Sequence, residues 1–93
     1  MKRVYRFDAV ITQSSGIDAA YVVFPYDIKK EFGRGRVAVE ANFDGVPYRG
    51  SIVNMGVRDE QGHTCYVIGV TKEIRRKICK SFGDIVRVEI SAL

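Results

Sequence analysis

Tyr66-Val67-Ile68 leads into Thr71-Lys72-Glu73-Ile74-Arg75-Arg76-Lys77-Ile78, then Gly83-Asp84, then the alternating Val86, Val88 and Ile90. Forty-five residues upstream the same order occurs: Tyr21-Val22-Val23, then Asp27-Ile28-Lys29-Lys30-Glu31-Phe32, then Gly33 and Gly35, then Val37, Val39 and Ala41. Each stretch reads as strand, short helix, glycine turn, strand. A unit of this size cannot bury its apolar face alone, so two copies predict one pseudo-twofold domain over residues 1–93.

Outward from these units, Val4 to Ile11 alternates. Tyr5, Phe7, Ala9 and Ile11 fall on one side, Arg6 and Asp8 on the other, which is the period of a half-buried strand. Gln13-Ser14-Ser15-Gly16 reads as a turn. Ala19 to Phe24 is almost wholly apolar and predicts a strand covered on both faces. Pro25 ends that strand and suits a helix start. Ile28 and Phe32 give the short helix its inward face, Asp27 complements its positive end, and Gly33 and Gly35 stop it.

Val37, Val39, Ala41 and Phe43 resume the strand alternation. Asp44-Gly45 is a two-residue hairpin signal, because a type I′ turn needs positive φ at both positions. The return strand carries Val46, Tyr48, Gly50 and Ile52 on one face, and Pro47 favours an edge or a strand start. Met55 to Gly62 reads as a polar connection and Cys65 to Val70 as a fifth strand. Thr71 caps the second helix, Ile74, Ile78 and Phe82 form its buried stripe, and Asp84 to Ser91 is the last strand. The expected fold is therefore mostly β: a small, closed or nearly closed six-stranded barrel with two short helices. Closure would leave few free edges on a chain this short.

The 93 residues carry a net charge of +4. Residues 72–80 hold Lys72, Arg75, Arg76, Lys77 and Lys80 against Glu73 alone, so the second helix accounts for the whole excess. No apolar run approaches the roughly 20 residues that span a bilayer, so no membrane partner is expected. The start, Met1-Lys2-Arg3, turns polar at Arg6 and Asp8, where a signal peptide would need an apolar core. The cytoplasm is the expected compartment. Cys65 and Cys79 match no metal or redox spacing and fit a reducing environment as thiols.

Lys72, Arg76 and Lys80, spaced four apart, form the stripe of the second helix furthest from its apolar face, with Arg75 beside them. Such a stripe can lie along phosphates; its ordinary alternative is a solvated face. The first helix mixes Asp27 and Glu31 with Lys29 and Lys30, so the charge is not repeated there. His63 and Cys65 could share a strand face, yet with Cys79 they supply three ligands at most, in no zinc pattern. No serine or cysteine stands at a nucleophile spacing from a histidine and a carboxylate. Gly33-Arg34-Gly35-Arg36 looks like a phosphate loop but follows a helix rather than preceding one, so it reads as a C-cap turn.

Several segments together resemble the bacterial and archaeal family catalogued as domain of unknown function nineteen-oh-five. They are Val23-Phe24-Pro25-Tyr26-Asp27-Ile28, Asp44-Gly45, Tyr48-Arg49-Gly50-Ser51-Ile52, Met55-Gly56, Thr71-Lys72-Glu73-Ile74-Arg75 and Gly83-Asp84-Ile85-Val86. The resemblance implies a small β-barrel of unassigned activity. Each half also resembles the swapped-hairpin unit of AbrB-like regulators. The expected role is a non-enzymatic binding or interaction module without cofactor or metal, whose partner is nucleic acid or another protein. The alternatives are nucleic-acid binding through Lys72, Arg75, Arg76 and Lys80, and small-molecule binding at a barrel mouth near Arg49, Met55 and His63. A chain holding both halves can stand as a monomer, or pair as a homodimer through an uncovered strand such as Pro47 to Val53.

Overall fold

The computed structural model describes residues 3–14 and 16–93. Met1 and Lys2 of the basic start, and Ser15 of the expected turn, lie outside the described residues. In chain order the elements are β1 (Val4–Val10), β2 (Thr12–Gln13), β3 (Ala20–Phe24), α1 (Ile28–Phe32), β4 (Val37–Phe43), β5 (Val46–Arg58), β6 (Thr64–Val70), α2 (Lys72–Ile78) and β7 (Ile85–Ala92).

Alternation becomes structure most plainly in the middle of the sheet. Val37, Val39, Ala41 and Phe43 of β4 are buried, as are Val86, Val88 and Ile90 of β7, while Glu40 and Arg87 between them face out. β4 turns into β5 through Asp44 and Gly45, both at positive φ (49° and 94°), as the two-residue hairpin requires. β3 is half-buried rather than covered on both faces: Ala20, Val22 and Phe24 point inward, and Tyr21 and Val23 are partly exposed.

The strands run β1-β7-β4-β5-β6-β3-β2 and every pairing is antiparallel. This corrects the expected closed six-stranded barrel. The sheet has seven strands and curls into half a barrel. The seventh strand is Thr12–Gln13, which continues β1 past a corner at Ile11 and pairs with β3 instead of β7. Ile11 is fully buried; its N–H donates to Asp84 O at 2.9 Å and its carbonyl accepts from Gly83 N at 2.7 Å. The second difference is β5, which runs on through Met55 to Arg58 where a polar connection was expected. That end is mostly exposed, so it lacks the apolar alternation that marks a strand in sequence. A register shift against β6 between Asn54 and Arg58 accommodates Gly56 at φ 80°, whose N–H Asn54 Oδ1 accepts at 2.9 Å.

Among the described residues no ladder joins β1 to β3. Aromatic rings fill the space instead. Phe24 meets Tyr5 at 5.3 Å and Phe7 at 5.8 Å between centroids, both edge-to-face, and Phe32 of α1 meets Tyr5 at 5.6 Å. Such pairs contribute about 0.5–1.5 kcal/mol each beyond the area they bury. Tyr5 Oη also donates to Glu31 of α1 at 3.0 Å. Arg3 donates to the same carboxylate at 3.0 Å, so helix α1 is held over the gap by packing and by two hydrogen bonds to Glu31.

Both helices are short, and their ends are satisfied by side chains. Asp27 Oδ1 accepts from Lys29 N and Lys30 N at 3.0 and 3.3 Å, and Gly33 closes α1 in the left-handed region. Thr71 Oγ1 accepts from Ile74 N at 3.2 Å. At the far end of α2 the left-handed residue is Cys79 (φ 58°), a side-chain-bearing residue where glycine is usual. The arms β3-α1-β4 and β6-α2-β7 lie with β3 against β6 and β4 against β7.

Candidate functional site

The four basic residues singled out on the second helix converge, although α2 ends at Ile78 and Lys80 lies beyond its left-handed cap, Cys79. Lys72, Arg75, Arg76 and Lys80 line one surface cleft of about 420 Å³, together with Asp18, Cys79, Phe82 and Asp84. The helix places them there because Ile74 is buried and Ile78 partly so, which turns the opposite side toward solvent.

Their states differ sharply. Arg75 is 7 % exposed, the one buried charged residue among those described. Its guanidinium donates to Asp18 Oδ1 at 3.0 Å and to Val70 O at 3.3 Å, and lies 5.0 Å from the centre of the Phe82 ring. Phe82 therefore covers Arg75 rather than completing the buried stripe of α2. Lys72 pairs with Asp18 at 3.2 Å and Lys80 with Asp44 at 2.6 Å, whereas Arg76 is exposed and stands in no ion pair among the described residues. The Arg75 guanidinium, and after it the Lys72 ammonium, hold the Asp18 carboxyl below the usual range.

Arg49, Met55 and His63 are not brought together. Arg49 lines a cleft of about 420 Å³ on the outer face of β1, β7, β4 and β5, where it pairs with Glu40 at 3.1 Å. His63 lines a different cleft, of about 570 Å³, between the end of β3 and the start of β6, with Tyr26, Lys29, Cys65 and Tyr66. Met55 is 56 % exposed at the irregular part of β5. Asp59 organises the turn ahead of β6: its Oδ1 accepts from Gln61 N and His63 N, each at 2.9 Å, and its Oδ2 lies 3.4 Å from His63 Nδ1. The His63 backbone N–H is the main reason the Asp59 carboxyl titrates below its ordinary range. Among the described residues no group of three His, Cys, Asp or Glu is placed to hold a metal ion, and both cysteines are free thiols. Among the described residues no helix is long and apolar enough to cross a membrane.

A family model described as "Domain of unknown function (DUF1905)" matches residues 7–90. The chain belongs to the DUF1905 family. No curated protein matches it. The DUF1905 match runs from Phe7 in β1 to Ile90 in β7, so it takes in both helices and the three clefts, apart from Val4, Arg6 and Ser91 of the cleft that holds Arg49.

In this DUF1905 chain the fold redistributes the charge that sequence placed on α2. Lys72 and Arg75 share Asp18, Lys77 takes Glu73 and Lys80 takes Asp44, leaving Arg76 alone on that helix. On α1 the reverse happens. Asp27 is occupied as the N-cap, and Glu31 is held by Arg3 and Tyr5. Lys29, Lys30, Arg34 and Arg36 consequently carry no ion pair among the described residues. The short-range mixture of signs on α1 hid this from sequence. The one available signal was Asp27 standing at a capping position.

Proposed function

We propose that this DUF1905 domain is a non-enzymatic binding module for an anionic partner, nucleic acid before others, seated along the outer side of α2. The observation that carries it is the convergence of Lys72, Arg75, Arg76 and Lys80 with the ring of Phe82 on one cleft. Arg75 acts as scaffold: it is desolvated and fully engaged, and it fixes Asp18 and Phe82. Arg76 is free to meet a phosphate. Lys72 can join it, because an exposed ion pair such as Lys72–Asp18 adds little stability and exchanges partners readily. The pairing of β3 with β6 and β4 with β7 supports reading the two arms as an internal repeat. The free thiols support a reducing, cytoplasmic setting.

The test is fluorescence anisotropy with labelled duplex and single-stranded oligonucleotides at low and high salt. Binding is expected at low salt and falls as salt rises, and the double variant Lys72→Glu, Arg76→Glu weakens it about tenfold or more. No binding at low salt, or binding untouched by the double variant, overturns the proposal.

A further inference from the structure

The unpaired positive charge of this chain is concentrated around α1, and an exposed aromatic ring sits beside it. Among the described residues, six Lys and Arg side chains stand outside every ion pair, and four of them (Lys29, Lys30, Arg34 and Arg36) fall within one helix and the turn after it. All four are exposed. The turn folds back on the helix: a Cβ added at Gly35 would lie 4.0 Å from Lys29 Cε, so the Lys29 side chain reaches the backbone between Arg34 and Arg36.

Lys29 also borders the largest of the three clefts with Tyr26; the two carboxylates there, Asp27 and Asp59, are taken up by backbone N–H groups of α1 and of the turn before β6. Tyr26 is 43 % exposed although it is aromatic. It leans on Tyr5 and Phe24, each 5.3 Å away between ring centroids, so the covered part of the ring is fixed by the aromatic packing over the gap between β1 and β3. The uncovered part faces the cleft. A tyrosine held in this way loses little further freedom when a flat group stacks on it.

Flat groups strung on phosphates are what this combination fits. An aromatic platform beside a run of cations is the general design of surfaces that hold single-stranded nucleic acid: the base stacks, and the backbone follows the positive charge. Bases in a duplex are already stacked on each other and cannot reach Tyr26. We propose that the α1 side of the molecule is a single-strand-binding face, with Tyr26 stacking on a base and Lys29, Arg34 and Arg36 along the adjoining phosphates. The proposal rests on the reading above that the partner is nucleic acid, and it names the strand form and a second contact surface.

Anisotropy with a short fluorescent oligothymidylate of about a dozen nucleotides, the matching duplex and heparin as a base-free polyanion tests it. The single strand is expected to bind at least about tenfold more tightly than the duplex or heparin. Tyr26→Leu should weaken single-strand binding about tenfold with an unchanged salt slope, and Tyr26→Phe should bind as the parent does. Arg34→Glu with Arg36→Glu, both exposed in the turn after α1, should lower the slope of log affinity against log salt by about 1.4. Equal binding of the three probes, or parental binding by both Tyr26→Leu and the double variant, overturns the proposal. If those variants bind normally while Lys72→Glu, Arg76→Glu abolishes binding, the α2 face stands and the α1 face falls. The opposite pattern keeps the α1 face and removes α2. Absence of binding by the parent protein removes both.

Discussion

Asp44 shows how much one side chain holds in this molecule. It occupies a positive-φ position in the β4–β5 turn, its Oδ1 accepts from Arg87 N at 2.8 Å, its own N–H donates to Arg87 O at 2.9 Å, and its Oδ2 pairs with Lys80 at 2.6 Å. Lys80 in turn donates to Ile85 O at 2.6 Å, so the hairpin turn, the end of α2 and the start of β7 meet at one carboxylate. The Lys80 ammonium is the main reason Asp44 titrates below its ordinary range, and the Arg87 N–H adds to it. A carboxyl whose folded value is depressed contributes stability that is complete above its unfolded value and is lost as pH falls through the folded one. Asp44→Asn keeps the turn conformation but removes the charge. Urea denaturation should therefore find the variant less stable than the parent at neutral pH, with the gap closing as pH drops below the normal aspartate range. A pH-independent gap would mean that Lys80 contributes nothing through charge. The aspartate was visible in sequence as a turn former. Its second role was not, because Lys80 and Arg87 lie far along the chain and pairing at that separation leaves no local pattern. The same holds for Asp18 and Arg75, whose contact turns a residue expected on a binding stripe into a buried support.

Among elements, the ones whose apolar residues alternate or recur every four were readable. β4, β7 and α1 stand where the pattern puts them, α2 starts where expected but ends at Ile78, short of Lys80 and Phe82, and Asp44-Gly45 makes the hairpin it advertises. The elements that escaped have little apolar content to show: β2 is two residues long, and the outer end of β5 is almost entirely exposed. Closure escaped for a different reason. Whether β1 pairs with β3 depends on the corner at Ile11, where the strand changes partner, and on the bulk of the rings beyond it. α1 then acts as a plug, and Phe32 is its principal contact with Tyr5 and Phe24. Phe32→Ala is expected to cost about 2–3 kcal/mol, below the figure for a fully buried phenylalanine because this ring is only partly covered. Hydrogen exchange should then quicken in β1 while β4, which has a strand on each side, keeps its protection. Equal acceleration in both strands would show that α1 does not guard the gap.

At the scale of the whole molecule, half of the strand pairings join strands that are not consecutive in sequence. β1 pairs with β7, β3 with β6 and β4 with β7, so each half depends on the other for its ladders. A fragment spanning residues 1–62 keeps the β4–β5 hairpin and the two-residue β2–β3 pairing but lacks every partner of β1 and most of those of β3. Isolated hairpins are marginal in water. Circular dichroism should show no cooperative melting for this fragment, and adding a peptide of residues 63–93 should restore it. A fragment that melts cooperatively alone would show that the first half carries its own core.

The pairing of Val4 with Ser91 has a consequence for how the protein is made. The first strand of this domain finds its template only in the seventh. On the ribosome the domain stays open until β7 has been synthesised. Those waiting residues include Tyr5, Phe7 and Phe24, rings that any chaperone or neighbouring nascent chain would meet before they find each other.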